Sequence, residues 1–173
     1  MKLDFRVRPI EGFTPKIGEL MSMLEYTRAL TLEDIKDLSQ VELDQLVDEE
    51  SNSVGALLLH IASIEAVHQV VAFENRDFNE SELLKWETPL WLGQKAQTEI
   101  KNQPLEYYID ELTKVREKTL ALFKTVDDGW LSVEKKWDNG VPHNNYWLWY
   151  HVMEDEISHR GQIRILKRMI FTK

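Results

Sequence analysis

Residues 147–170 read WLWYHVMEDEISHRGQIRILKRMI, and Val152, Ile163, Leu166 and Ile170 recur along them at the spacing of one helix face. An α-helix turns about 100° per residue, so side chains three or four positions apart share a side. Asp155 and His159 stand four apart and fall on that same apolar side. Burying a carboxylate costs several kcal/mol unless it is paired or holds a cation. Two readings meet that demand. The pair belongs to a satisfied hydrogen-bonded network in the core, or it ligates a metal ion. The basic end of the segment, RILKR (164–168), suits the electronegative C-terminus of a helix better than it suits an anion site.

Working outward, three more segments carry the same periodicity. PLEYYIDELTKVREKTLALFKTV (104–126) opens on Pro104 and turns Leu105, Tyr108, Ile109, Leu112, Val115 and Leu122 to one side, with Thr119 as a small polar break. SNSVGALLLHIASIEAVHQVVAFENR (51–76) has Ser51 or Ser53 as cap and a stripe of Leu57, Ile61, Ile64, Val67 and Val71. Gly55 in its first turn points to close packing there. TPKIGELMSMLEYTRALTLEDIKDL (14–38) begins with Thr14 as N-cap and Pro15 in the first helical position. Ile17, Leu20, Met21, Leu24 and Ala29 line its inner side, and it is expected to end near Leu38.

Residues 77–103 are interrupted by Pro89 and Gly93 and read as a long connection with local helix, in which Trp86 and Trp91 are expected to cover the core. Residues 127–145 are turn-rich, with Asn139-Gly140 favouring a tight reversal. No segment alternates over a strand's length. The expectation is an all-α, up-down four-helix bundle, one domain over residues 1–173, with a long connection between its second and third helices.

Composition narrows the functions. At 173 residues, 43% hydrophobic and 29% charged, the chain has the makings of a globular domain with its own core. It has no cysteine, which excludes disulfides, thiolate ligands and a cysteine nucleophile, and which fits a cytoplasmic protein. A formal charge of −9 argues against nucleic acid as a partner. The charged opening MKLDFRVRPIEGF does not read as a signal peptide, and no run is expected to cross a bilayer.

A second polar residue sits on an inward line: His60, three after Leu57 and four before Ile64. Bundles build metal sites from inward side chains on facing helices. One donor from the second long helix and two at i, i+4 on the fourth would leave positions open for water or substrate, as a reactive site requires. The bland alternative, a buried histidine bonded to an aspartate with no ion, stays open. His151, one turn before Asp155, is placed to be a ligand, a supporting residue or a proton acceptor, or simply to pack at the helix start. His68 reads as a partly exposed helix residue that could donate to the same ion, His143 as structural. Glu65 reads as a base or an ordinary surface carboxylate. Trp147 and Trp149 suit core packing, a pocket or an interface.

NSVGALLLHIASIE (52–65) together with HVMEDEISHRGQI (151–163) resembles the DinB-like superfamily, which includes the YfiT-like metal-dependent hydrolases, over essentially the whole chain. The resemblance implies a four-helix bundle holding a divalent ion, nickel or zinc, through three histidines. Carried across, two of those positions are His60 and His159. The third is Asp155, where the family pattern has histidine. A carboxylate there would favour harder ions, so manganese or iron joins the candidates, or would mark a site that has lost its metal. The resemblance further implies a hydrolase or a transferase that uses a low-molecular-weight thiol, a small-molecule substrate, and a homodimer. The alternative is a non-catalytic bundle for small-molecule binding or dimerisation.

Overall fold

The computed structural model describes residues 5–171, and the fold is the all-α bundle that the periodicity requires. Its helices are α1 (Pro15–Ile35), α2 (Gln40–Asp44), α3 (Val54–Gln69), α4 (Glu80–Trp91), α5 (Gly93–Glu99), α6 (Leu105–Phe123), α7 (Asp128–Leu131) and α8 (Asn145–Phe171). A π-helical turn, Val70–Glu74, prolongs α3. The bundle proper is α1, α3, α6 and α8; α4 and α5 form the long connection between its second and third members.

Caps mark most of the starts. Ser53 accepts from the Ala56 N–H to open α3, and Asn79 with Glu82 forms a reciprocal capping box on α4. Thr14 precedes α1 as expected, but its hydroxyl donates to Asp128 Oδ1 (2.5 Å). The oxygen that caps α1 comes instead from α7: Asp128 Oδ1 accepts from the Ile17 N–H at 3.1 Å. The helix also stops at Ile35, three residues before the expected end. Asn139-Gly140 does reverse the chain, and it joins two three-residue strands, β1 (Glu134–Lys136) and β2 (Pro142–Asn144), paired antiparallel with Lys135 opposite His143.

The central helix is α3. Its expected stripe is too narrow, because Ala56, Leu58, Ala62 and Ala66 are buried on its other sides, while Ile64, Val67 and Val71 are half-buried. Val54–Glu74 is in fact long and apolar enough to cross a membrane, contrary to the sequence expectation, but 78% of the most apolar part is buried inside the bundle. A helix wrapped by neighbours needs an apolar surface all round, and that produces the same composition. Gly55 faces α6: a Cβ there would stand 2.6 Å from the Tyr108 hydroxyl oxygen, so only glycine fits without movement.

Each bundle helix sends one charged side chain into the middle: Arg28 from α1, Glu65 from α3, Arg116 from α6 and Glu156 from α8. Glu65, fully buried, accepts from Arg116 Nε at 2.7 Å, Arg28 Nη2 at 2.9 Å and Thr119 Oγ1 at 2.6 Å. Glu156, also fully buried, accepts from Arg28 Nε at 2.9 Å and Thr31 Oγ1 at 2.8 Å. Burial by itself would raise the Glu65 pKa; the guanidiniums of Arg116 and Arg28 outweigh it and hold the carboxyl at about 2. Two acids and two bases balance, and rotating any one helix would take a partner from at least one buried charge.

Candidate metal centre

His60 on α3 and Asp155 and His159 on α8 converge where these two helices pack. One ligating atom from each lies within 4.8 Å of the others. Among the described residues this is the one group of three or more metal-binding side chains found so close together. The imidazole centres of His60 and His159 are 4.5 Å apart. A ring nitrogen about 2.1 Å from an ion places the ring centre about 3.2 Å from it, so one ion can touch both rings.

The hydrogen bonds choose the tautomers. His60 Nδ1 donates to the Pro89 carbonyl at 2.9 Å, and His159 Nδ1 donates to the Asp155 carbonyl at 3.0 Å. Carbonyl oxygens only accept, so each Nδ1 carries a proton, and in the neutral ring Nε2 is the atom that holds the lone pair. His60 Nε2 points toward Asp155 Oδ1, 3.6 Å away, and Asp155 Oδ2 lies 3.2 Å from His159 Nδ1. Ligating histidines are held in this way, with the far nitrogen donating to an oxygen. Burial opposes ionisation of Asp155; hydrogen bonds from His159 and His60, and their charge when protonated, outweigh it and keep the carboxyl well below the usual carboxylate range, while Asp155 in turn raises the pKa of His159 against its burial. The residues present thus fit a divalent ion: two imidazole lone pairs and a carboxylate oxygen, mostly screened from water and oriented by their neighbours.

Pro89 was legible only as a break. It sits inside α4, and the chain then turns sharply at Leu92, whose φ is 56°. The connection therefore contributes to the site, because its Pro89 carbonyl orients His60.

The other candidates separate. His151, half-exposed, lies on the same α8 face, its ring stacked flat on Trp147 with centres 5.3 Å apart. His68 is buried rather than partly exposed, its ring centre 5.4 Å from that of His151. Glu65 is neither base nor surface residue; both its oxygens are taken by the core ion cluster. His143 stacks on Trp137 in the hairpin, centres 3.9 Å apart. Trp149 is fully buried and Trp86 nearly so, whereas Trp91 is 77% exposed and covers no core.

Residues 19–170 match the family described as Mycothiol-S-transferase, a span that contains all three converging side chains. The chain belongs to the mycothiol S-transferase family. That places it in the DinB-like superfamily, as the two motifs indicated. No curated protein matches it. A crystal structure of a conserved protein from Enterococcus faecalis is similar to this family member at 15% identity, with a TM-score of 0.70, over 89% of this chain and 96% of that one. At that identity the likeness speaks for the fold alone.

Proposed function

We propose that the protein is a metal-dependent S-transferase that joins a low-molecular-weight thiol to a small electrophile. The observation that carries this reading is the convergence of His60, Asp155 and His159 with each imidazole Nδ1 tied to a carbonyl, which leaves Nε2 as the nitrogen to ligate. Family membership supplies the thiol class.

His60, Asp155 and His159 would hold the ion, which supplies a lowered pKa for a bound thiol or water. With no cysteine in the chain, the sulfur arrives with the substrate. In the transfer the S–H bond breaks, sulfur bonds to the electrophilic atom, and that atom's leaving group departs with the electron pair. The released proton needs an acceptor. His151 is the candidate: half-exposed, one turn from Asp155, and kept in place by Trp147. Glu65 is excluded from that role by its bonds to two arginines. Water in place of the thiol would make the same centre a hydrolase, so the assay compares thiol and water as nucleophiles. A homodimer and a cytoplasmic setting belong to the same reading; exposed Leu84 and Trp91 on α4 offer an apolar surface for a second copy.

The test is metal analysis of tag-free protein, followed by thiol-dependent transfer to generic electrophiles. We expect the protein as purified to carry about one equivalent of nickel, zinc, manganese or iron, lost in His159→Ala together with activity and with most of the thermal shift on metal addition. Full occupancy in His159→Ala would overturn the ligand set; loaded protein with no thiol dependence would overturn the reaction.

A further inference from the structure

Four of the five histidines line the seam between α3 and α8. His60 and His159 are one pair; His68 and His151 are another, two helical turns along. In the second pair the ring bonding repeats. His68 Nδ1 donates to the Ile64 carbonyl at 2.7 Å, and His151 Nδ1 faces Glu154 Oε2 at 3.4 Å. Both Nδ1 atoms thus have an oxygen acceptor, and no hydrogen bond engages either Nε2 among the described residues. This is the state in which imidazoles ligate.

Spacing fits as well. Two imidazoles on one tetrahedral ion have ring centres about 5.2 Å apart, taking about 2.1 Å for the metal–nitrogen bond. His68 and His151 are 5.4 Å apart with their planes tilted by 55°. His68 is also free of a competing proton: burial, foremost, pushes its pKa down to about 4. Trp147 holds the other ring, its plane within 4° of that of His151.

We propose that His68 and His151 form a second, weaker divalent-metal site, two protein nitrogens with water completing the shell, and that filling it inhibits the enzyme. Nitrogen donors select zinc, nickel or copper over magnesium or calcium. The ion takes the Nε2 lone pair of His151, which the transfer needs as proton acceptor. The inhibition rests on the function proposed above; the binding does not.

Tag-free apoprotein dialysed against zinc or nickel separates the two. The wild type binds a second equivalent beyond the first. His68→Gln, with an unchanged melting temperature, keeps the first and weakens the second by at least about tenfold, while His159→Ala keeps the second and loses the first. Transfer activity falls as the second equivalent binds to wild type, and His68→Gln resists that fall. Saturation of the wild type at one equivalent, or an undiminished second equivalent in His68→Gln, overturns the site. A second equivalent that leaves activity untouched overturns the inhibition. Protein that transfers no thiol under any loading refutes the proposed function, and the stoichiometry still decides the site.

Discussion

Replacing Glu65 with glutamine keeps the shape of the side chain and removes one of four charges in the middle of the bundle. The cost can be reached by two routes. Glu65 has its pKa held at about 2 against an ordinary 4.5, and at about 1.4 kcal/mol per pH unit that difference is worth about 3 kcal/mol. Breaking a buried ion pair by removing one partner costs about 3–5 kcal/mol in general. The two agree because both Arg28 and Arg116 are buried and would lose the same partner. For a chain of 173 residues, about 3 kcal/mol corresponds to a melting temperature roughly 6–12 °C lower. The sign with pH follows from the depressed value. This contribution is fully present above about pH 4.5, and it is lost as pH falls through about 2. Melting curves by circular dichroism at pH 7 and stepwise toward pH 2 read both effects. Glu65→Gln should melt lower at neutral pH and lose less than wild type on acidification, so the two curves approach each other. If the variant melts within about 2 °C of wild type at pH 7, and falls with acid just as steeply, the cluster does not stabilise the fold as argued.

Gly55→Ala should destabilise by about 1–3 kcal/mol in chemical denaturation, since the added carbon meets the Tyr108 ring and hydroxyl on a neighbouring rod. Tyr108→Phe should be neutral or stabilise by up to about 1 kcal/mol in the same assay, because that buried hydroxyl has no hydrogen-bond partner. Asp155→His should still bind metal, with preference moved toward softer ions in competition dialysis, whereas Asp155→Ala should lose at least about tenfold in affinity.

Much of the centre was readable from spacing because a helix obeys a simple period. Asp155 and His159 stood out on an apolar line, and His60 on another. What spacing could not supply was the third dimension. Glu65 lies four residues after Ile61, on a line as inward as that of His60, but a glutamate on a helix is most often a solvated one. Its partners come from two other helices, α1 and α6, so no local pattern marks it. Thr119, a small polar residue interrupting an apolar stripe, was the trace it left: its hydroxyl donates to Glu65. The Pro89 carbonyl was invisible for a different reason. Main-chain acceptors exist at every position, and only the path of α4 decides which one meets an imidazole. Trp91 went astray because an aromatic residue next to a helix break looks alike whether it folds inward or out.

Asp155 and Glu156 are adjacent on α8, one turned to the candidate metal centre and the other locked onto Arg28. Such neighbouring acids, about 100° apart around the helix, make the rod a keel: it can neither slide nor roll without spoiling the electrostatic clasp beside the site. The candidate pocket is therefore shaped without an ion, and a chelator should strip any metal without unfolding the scaffold, lowering only its melting temperature.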